Sequence, residues 1–178
     1  MTTINLLTAL EERISEITKN YKFRVPKGDE YRAPKVWKQH LPENLYEDEP
    51  NPGDYPLALI VASETQIDES GDRTAQVTIL VGGYDNGQAI EGGVRDRQGW
   101  MLPAEMMDRI LFDFVQNPRV GDMFDIKFPV STELPDDQPA PLWYGAIYTT
   151  WSMPMPPQGF LMDYWPPSST VGVDPYPA

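Results

Sequence analysis

The residues able to carry chemistry are few in kind. The chain has one histidine, His40, no cysteine, and 27 aspartates and glutamates against 14 lysines and arginines. A zinc site or a Ser-His triad needs nitrogen or sulfur ligands and bases in numbers that a single histidine does not supply. His40 lies between Gln39 and Leu41 in a proline-interrupted stretch, where a bystander role is the simpler reading. Carboxylates alone can build a glycosidase pair or an all-oxygen calcium or magnesium site, so residue type leaves those chemistries open. Their local pattern argues for something plainer. Glu43, Glu47, Asp48 and Glu49 form a polar run before Pro50, Asp136 and Asp137 sit between prolines, and the DESGD segment at 68–72 lacks the twelve-residue calcium-loop pattern. These read as solvated loops and a turn.

Two further groupings invite a ligand. The glycines at 82, 83, 87, 92 and 93 follow a predicted strand and precede a predicted helix, the context of a nucleotide-binding turn. Neither the dinucleotide fingerprint nor the P-loop pattern can be laid on GGYDNGQAIEGGVRD, and left-handed turn geometry accounts for the glycines better. Trp143, Tyr144, Tyr148 and Trp151 could present rings to a sugar or base, but alternation distributes them over both faces of one strand, as core and contact residues are. The sequence therefore nominates no catalytic residue, no cofactor-binding residue and no metal ligand.

The elements that would position these residues are legible from periodicity. Leu6, Leu7, Leu10, Ile14 and Ile17 recur at helical spacing over 3–20, with Thr2 or Thr3 available as N-cap. From Tyr21 to Tyr55 the period is lost among Pro26, Pro34, Pro42, Pro50 and Pro52, which predicts a long N-terminal arm or loop pinned by Phe23, Val36, Trp37, Leu41 and Leu45. The apolar run LALIVAS at 57–63 predicts a central strand covered on both faces. Alternation over 73–81 predicts its hairpin partner, joined through DESGD. Pro103 is placed at the first position of a second helix, with Met106, Met107, Ile110, Leu111, Phe114 and Val115 on its apolar face and an end near Asn117. Phe124, Ile126 and Phe128 alternate as a third strand, and 142–152 forms a fourth. The expectation is an α+β domain over 1–157, a mixed and mainly antiparallel sheet of about four strands with two helices packed on it. Residues 158–178 follow as a proline-rich, aromatic C-terminal tail.

Composition narrows the partners. The net charge of −13 opposes phosphate backbones and anionic lipid, so neither nucleic acid nor a membrane surface is favoured. No stretch approaches the ~18 apolar residues of a membrane helix, and acids interrupt the N-terminus where a signal peptide would be apolar. The charge is uneven, +3 over residues 1–42 and −16 over 43–178; a solvated surface with chance clustering is the simpler reading, and attraction between two such faces across a self-assembly contact is the alternative.

Several segments together carry a resemblance: PKVWKQHLP, YPLALIV, VTILVGGYD, the pair Arg95 and Asp96 ahead of a helix, and ELPDDQPAPLWYGAIYTTWSMP. Over residues 1–157, and most specifically 133–154, the chain resembles the tail-terminator or tail-completion (neck) proteins of long-tailed phages and prophages of Gram-positive bacteria. The tail from Gln158 onward and the GQAIEGG segment have no counterpart in that pattern. The resemblance implies a non-enzymatic virion protein, assembled in the host bacterial cytoplasm and located in the tail or neck. It implies a ring, commonly a hexamer, that caps the tail tube, stops its growth and contributes to head-tail joining. Its implied partners are further copies of itself, the tail-tube protein and head-tail connector proteins, with DNA passing through the ring without specific binding. Val36 and Trp37 in the arm and Phe160, Tyr164 and Trp165 in the tail are the expected subunit or partner interface. Another neck or connector protein is the nearest alternative; a carbohydrate-binding module using surface tryptophans, and after it a carboxylate hydrolase, are alternatives of other classes.

Overall fold

In the computed structural model, which describes residues 2–25, 31–40, 55–87, 89–90, 94–95, 98–138 and 140–155, the first apolar stripe becomes helix α1, Thr3–Thr18. The Thr2 hydroxyl accepts from the Asn5 amide and supplies the cap. Leu6, Leu7, Leu10 and Ile14 are buried along one side, and Thr18, also buried, satisfies its hydroxyl on the Ile14 carbonyl at 2.8 Å. Helix α2, Met101–Gln116, starts two residues before Pro103, from Trp100, which makes no side-chain cap. Pro103 is thus third rather than first, a position where its missing N–H still costs no helical bond.

The strands, in chain order, are β1 (Phe23–Arg24), β2 (Tyr31–Arg32), β3 (Lys35–Lys38), β4 (Leu57–Ile67), β5 (Arg73–Tyr84), β6 (Ala89–Ile90), β7 (Val94–Arg95), β8 (Arg119–Val120), β9 (Phe124–Glu133) and β10 (Leu142–Met153). Six of them form one sheet in the order β3-β4-β5-β10-β9-β8, with β3 parallel to β4 and every other pair antiparallel. β1 with β2 and β6 with β7 make two small separate ladders. The α+β class, the two helices and the mostly antiparallel mixed sheet agree with the sequence, but the main sheet has six strands instead of four. The additional ones, β3 and β8, have four and two residues, too short for a period of two to register, and β3 lies inside the segment expected to be an arm.

One face of the sheet carries both helices. α1 lies along β3 and β4, α2 along β5 and β10, and the helices touch each other. Between them and the sheet sit Ala75, Val77, Ile79 and Val81 of β5, Ala58 and Ile60 of β4, Ile147 and Trp151 of β10, and Phe124 and Ile126 of β9. The alternation expected in β5 is observed: its odd-numbered residues face the helices. In α2 the stripe is narrower than predicted, since Leu111 is only half-buried and Val115 is exposed beside Phe112. Phe128 likewise leaves the core. The β9–β10 register shifts between Tyr148 and Thr150, four β9 residues spanning the two-residue step, and Phe128 within that bulge is turned outward.

Candidate interaction surfaces

Among the described residues, the histidine and carboxylates considered for chemistry form no common cluster. His40 is exposed beyond the end of β3, its backbone amide bonded to the Lys38 carbonyl. Among the described residues no three histidines, aspartates or glutamates group closely enough to hold a metal ion. Glu43, Glu47, Asp48 and Glu49 lie outside the described residues, and Asp136 and Asp137 are exposed.

The carboxylates with described partners serve the fold. Asp68 accepts from the Ser70 hydroxyl at 2.6 Å and from the Ser70 and Asp72 amides, closing the DESGD hairpin between β4 and β5. The Ser70 hydroxyl, followed by the Asp72 amide, holds the Asp68 carboxyl below its usual range. Asp125 pairs with Arg119 across the β8–β9 ladder at 2.7 and 3.1 Å, and that hydrogen-bonded guanidinium holds its carboxyl low.

The glycines mark close approaches rather than a nucleotide cradle. A β-carbon at Gly83 would stand 3.1 Å from Leu102, and at Gly82 it would stand 3.1 Å from the Tyr55 ring. Gly92 and Gly93 lie outside the described residues.

The aromatic strand β10 divides as alternation requires. Trp143 and Trp151 face the helices and are buried; the Trp143 indole donates to the Asp85 carbonyl at 3.1 Å, and Trp151 meets Phe114 edge-on with ring centroids 5.3 Å apart. Tyr144 and Tyr148 face the other way, about two-fifths exposed. The rings of β10 open to solvent are therefore tyrosines, and Tyr148 donates its hydroxyl to Glu133 at 2.6 Å.

That second face of the sheet holds a further candidate surface. Strand register places Trp37, Leu59, Leu80, Ala146 and Glu133 in one row across β3, β4, β5, β10 and β9, and Lys35, Leu57, Gly82 and Tyr144 in the next. Tyr55, Leu57, Leu59, Leu80, Gly82 and Tyr144 line an apolar groove of about 200 Å³ on it. A second groove, about 440 Å³, runs between the start of α1 and the β3–β4 ends, past Ile4, Leu7, Gln39 and Thr65. Of the five interface residues nominated from sequence, Val36 packs toward the core beside the helices. Trp37, its neighbour in β3, is half-buried in the row just described, with its indole nitrogen buried and without a hydrogen-bond partner among the described residues. Phe160, Tyr164 and Trp165 lie outside the described residues. Phe112 is an exposed apolar position that sequence reasoning does not single out, Tyr144 is one considered there only as a stacking ring, and Phe128 is one expected on the inner side of its strand. For Tyr144 the even-numbered parity of β10 is an available signal; for Phe128 the bulge has no signature in the sequence.

No protein-family model matches the chain, and no curated protein matches its sequence.

Proposed function

We propose that the chain is a structural subunit of a phage-type tail, a tail-terminator or tail-completion protein that forms a ring on the end of the tail tube and contributes to head-tail joining. One observation carries the reading. Parts of four segments on which the resemblance rests, KVWK, LALIV, VTILVGGY and LWYGAIYTTWSM, lie in β3, β4, β5 and β10, four successive neighbours of one sheet. β10, nearly sixty residues beyond β5, thus joins the three earlier strands in one physical unit, which is what a shared fold would require of these segments.

Two physical features suit a ring subunit that caps a DNA-conducting tube. On the sheet face opposite its helices Tyr144 and Tyr148 are about two-fifths exposed, aromatic area that a neighbour can cover. The excess of acidic charge repeated around a channel would repel DNA and let it slide. Trp37 on β3, and Phe160, Tyr164 and Trp165 of the tail, are the proposed contacts with copies and with the tail-tube protein, while Val36 packs on the core side of β3.

Size-exclusion chromatography with multi-angle light scattering, over a concentration series and with purified tail-tube protein added, tests the proposal. A ring mass, alone or dependent on tube protein, is expected. A strict monomer indifferent to the tube protein would overturn it, and assembly only with a head connector would move the chain elsewhere in the neck.

A further inference from the structure

Gln39 holds a backbone conformation that its residue type does not favour. Its φ is +64°, in the left-handed region where glycine is at ease and a long side chain is not. The His40 amide bonds to the Lys38 carbonyl at 2.7 Å, so Gln39 is the centre of a three-residue turn at the end of β3. A glycine there would remove the strain, yet the position holds a glutamine. Strain of this kind persists where surrounding contacts compensate it, and here the compensating contacts come from the side chain.

That side chain continues the ladder where the backbone leaves it. β3 and β4 run parallel with Lys38 opposite Ile60, and the Gln39 amide bonds to the Ile60 carbonyl at 2.8 Å. The next β4 groups met by Gln39 belong to Ala62. The Ala62 amide donates to Gln39 Oε1 at 3.1 Å, and the Ala62 carbonyl accepts from Gln39 Nε2 at 3.2 Å. One primary amide thus stands in for the peptide group of a further β3 residue, donating once and accepting once.

Past this point β4 runs on to Ile67, and among the described residues its ladder there is with β5 alone. Ser63 to Ile67 are all exposed. A strand with open outer groups can template a strand from another chain, and such edges are closed by covering groups, bulges and charges. All three meet here: Gln39 covers Ala62, the β4–β5 register shifts between Ala62 and Glu64, and Glu64 is an exposed charge just beyond. We infer that Gln39 is an edge cap, whose side-chain amide occupies the Ala62 N–H and C=O, ends strand addition where the β3–β4 ladder ends, and keeps this edge from joining a second copy of the chain. The contact is autoinhibitory, because it withholds from other copies an edge that the fold would otherwise offer. It does not depend on the reading of the chain as a ring subunit; it removes one edge from the surfaces through which copies can meet.

Amide exchange and self-association of the full-length chain test the cap together. Gln39→Gly removes the side chain and suits the left-handed backbone; relieved strain offsets the lost bonds, so the unfolding midpoint should stay close to that of the wild type. Gln39→Asn keeps the amide and tolerates the same backbone, but is one methylene too short to span both Ala62 groups. In both variants the Ala62 amide should exchange on the order of tenfold faster than in the wild type, as read by NMR. Thioflavin T fluorescence and light scattering, over a concentration series without added partner, should show aggregates forming several-fold faster at that same midpoint. Ala62 exchange unchanged in both variants would mean that another part of the chain holds those groups, and would overturn the cap. Faster exchange with no gain in aggregation overturns the guarding role. Aggregation that rises only as the midpoint falls traces to unfolding and overturns it as well.

Discussion

Arg13 of α1 and Asp113 of α2, one hundred positions apart, form a two-pronged ion pair, with Nε 2.7 Å from one carboxylate oxygen and Nη2 2.6 Å from the other. The pair ties the two helices together above the sheet, and Asp113 also accepts from the Asn117 side chain at the end of α2. A fork-to-fork geometry is stronger than a single contact, but the side chains are 33% and 20% exposed, so water screens part of it. Asp113→Asn should lower unfolding free energy by about 1 kcal/mol, as read from urea denaturation at moderate salt. A loss that persists unchanged at high salt would mean the coupling is packing and not charge.

Trp151 gives a sharper test because it is fully buried and bonded. Its indole donates to the Thr149 hydroxyl at 2.8 Å, and that hydroxyl in turn donates to the Val77 carbonyl at 2.8 Å, so the ring both fills the core and completes a polar relay between β10 and β5. Trp151→Phe retains most of the contact with Phe114 and should cost roughly 1–3 kcal/mol from lost volume and the relay's lost donor. Trp151→Ala should cost about 3–5 kcal/mol and unfold a large fraction of the protein at 37 °C. Equal midpoints for the two variants would show that the residual ring contributes nothing.

The sheet around Trp151 also shows what periodicity can and cannot reveal. Alternation places Ala75, Val77, Ile79 and Val81 together on β5, because a period of two sustained over many residues matches the pleat of a half-buried strand and not the turn of a helix. The apolar run of 57–63 is legible as a strand buried on both faces, and Leu57 to Ile60 are indeed all buried. Beyond Ile60 it is not: β4 continues through Ser63, Glu64 and Thr65, where a register shift and rising exposure leave no pattern. β3 is illegible for a different reason. Its strand character comes from bonds such as the Lys35 amide to the Pro56 carbonyl and the Gln39 amide to the Ile60 carbonyl, contacts made by a partner some twenty residues away and not by any property of PKVWK itself. The candidate surfaces are less legible than the fold, because they depend on which side chains strand register brings into one row. Trp37 can be nominated as an apolar residue in need of cover, but its row with Leu59, Leu80 and Ala146 is a product of register.

Gly99 tests a close approach that no periodicity announces. A β-carbon there would fall 2.1 Å from the Trp143 indole nitrogen and within 2.6 Å of two further ring carbons. The ring is rigid and is held by its bond to the Asp85 carbonyl, so it can move only by giving up that bond. Gly99→Ala should therefore cost about 1–3 kcal/mol, and near-ultraviolet circular dichroism should change as the indole reorients. A variant as stable as wild type with an unchanged spectrum would place the segment before α2 farther from the ring.

The hairpin turn offers a pH test with a defined sign. The Asp68 carboxyl is held below its ordinary value by the Ser70 hydroxyl and then by the Asp72 amide, so its charged form is favoured more in the folded than in the unfolded chain. A depressed carboxylate contributes stability that is present above the unfolded value near ~4 and is lost as pH falls through the lower folded value. Carbon-detected NMR titration should show Asp68 titrating below the ordinary aspartate range, and the amide resonances of Ser70 and Asp72 should follow the same midpoint. Asp68→Asn keeps an acceptor oxygen but removes the charge, so it should flatten the acid limb of stability for this turn while leaving the β4–β5 pairing intact. An Asp68 midpoint at or above the usual aspartate range would mean that the turn is not closed by its carboxylate in solution.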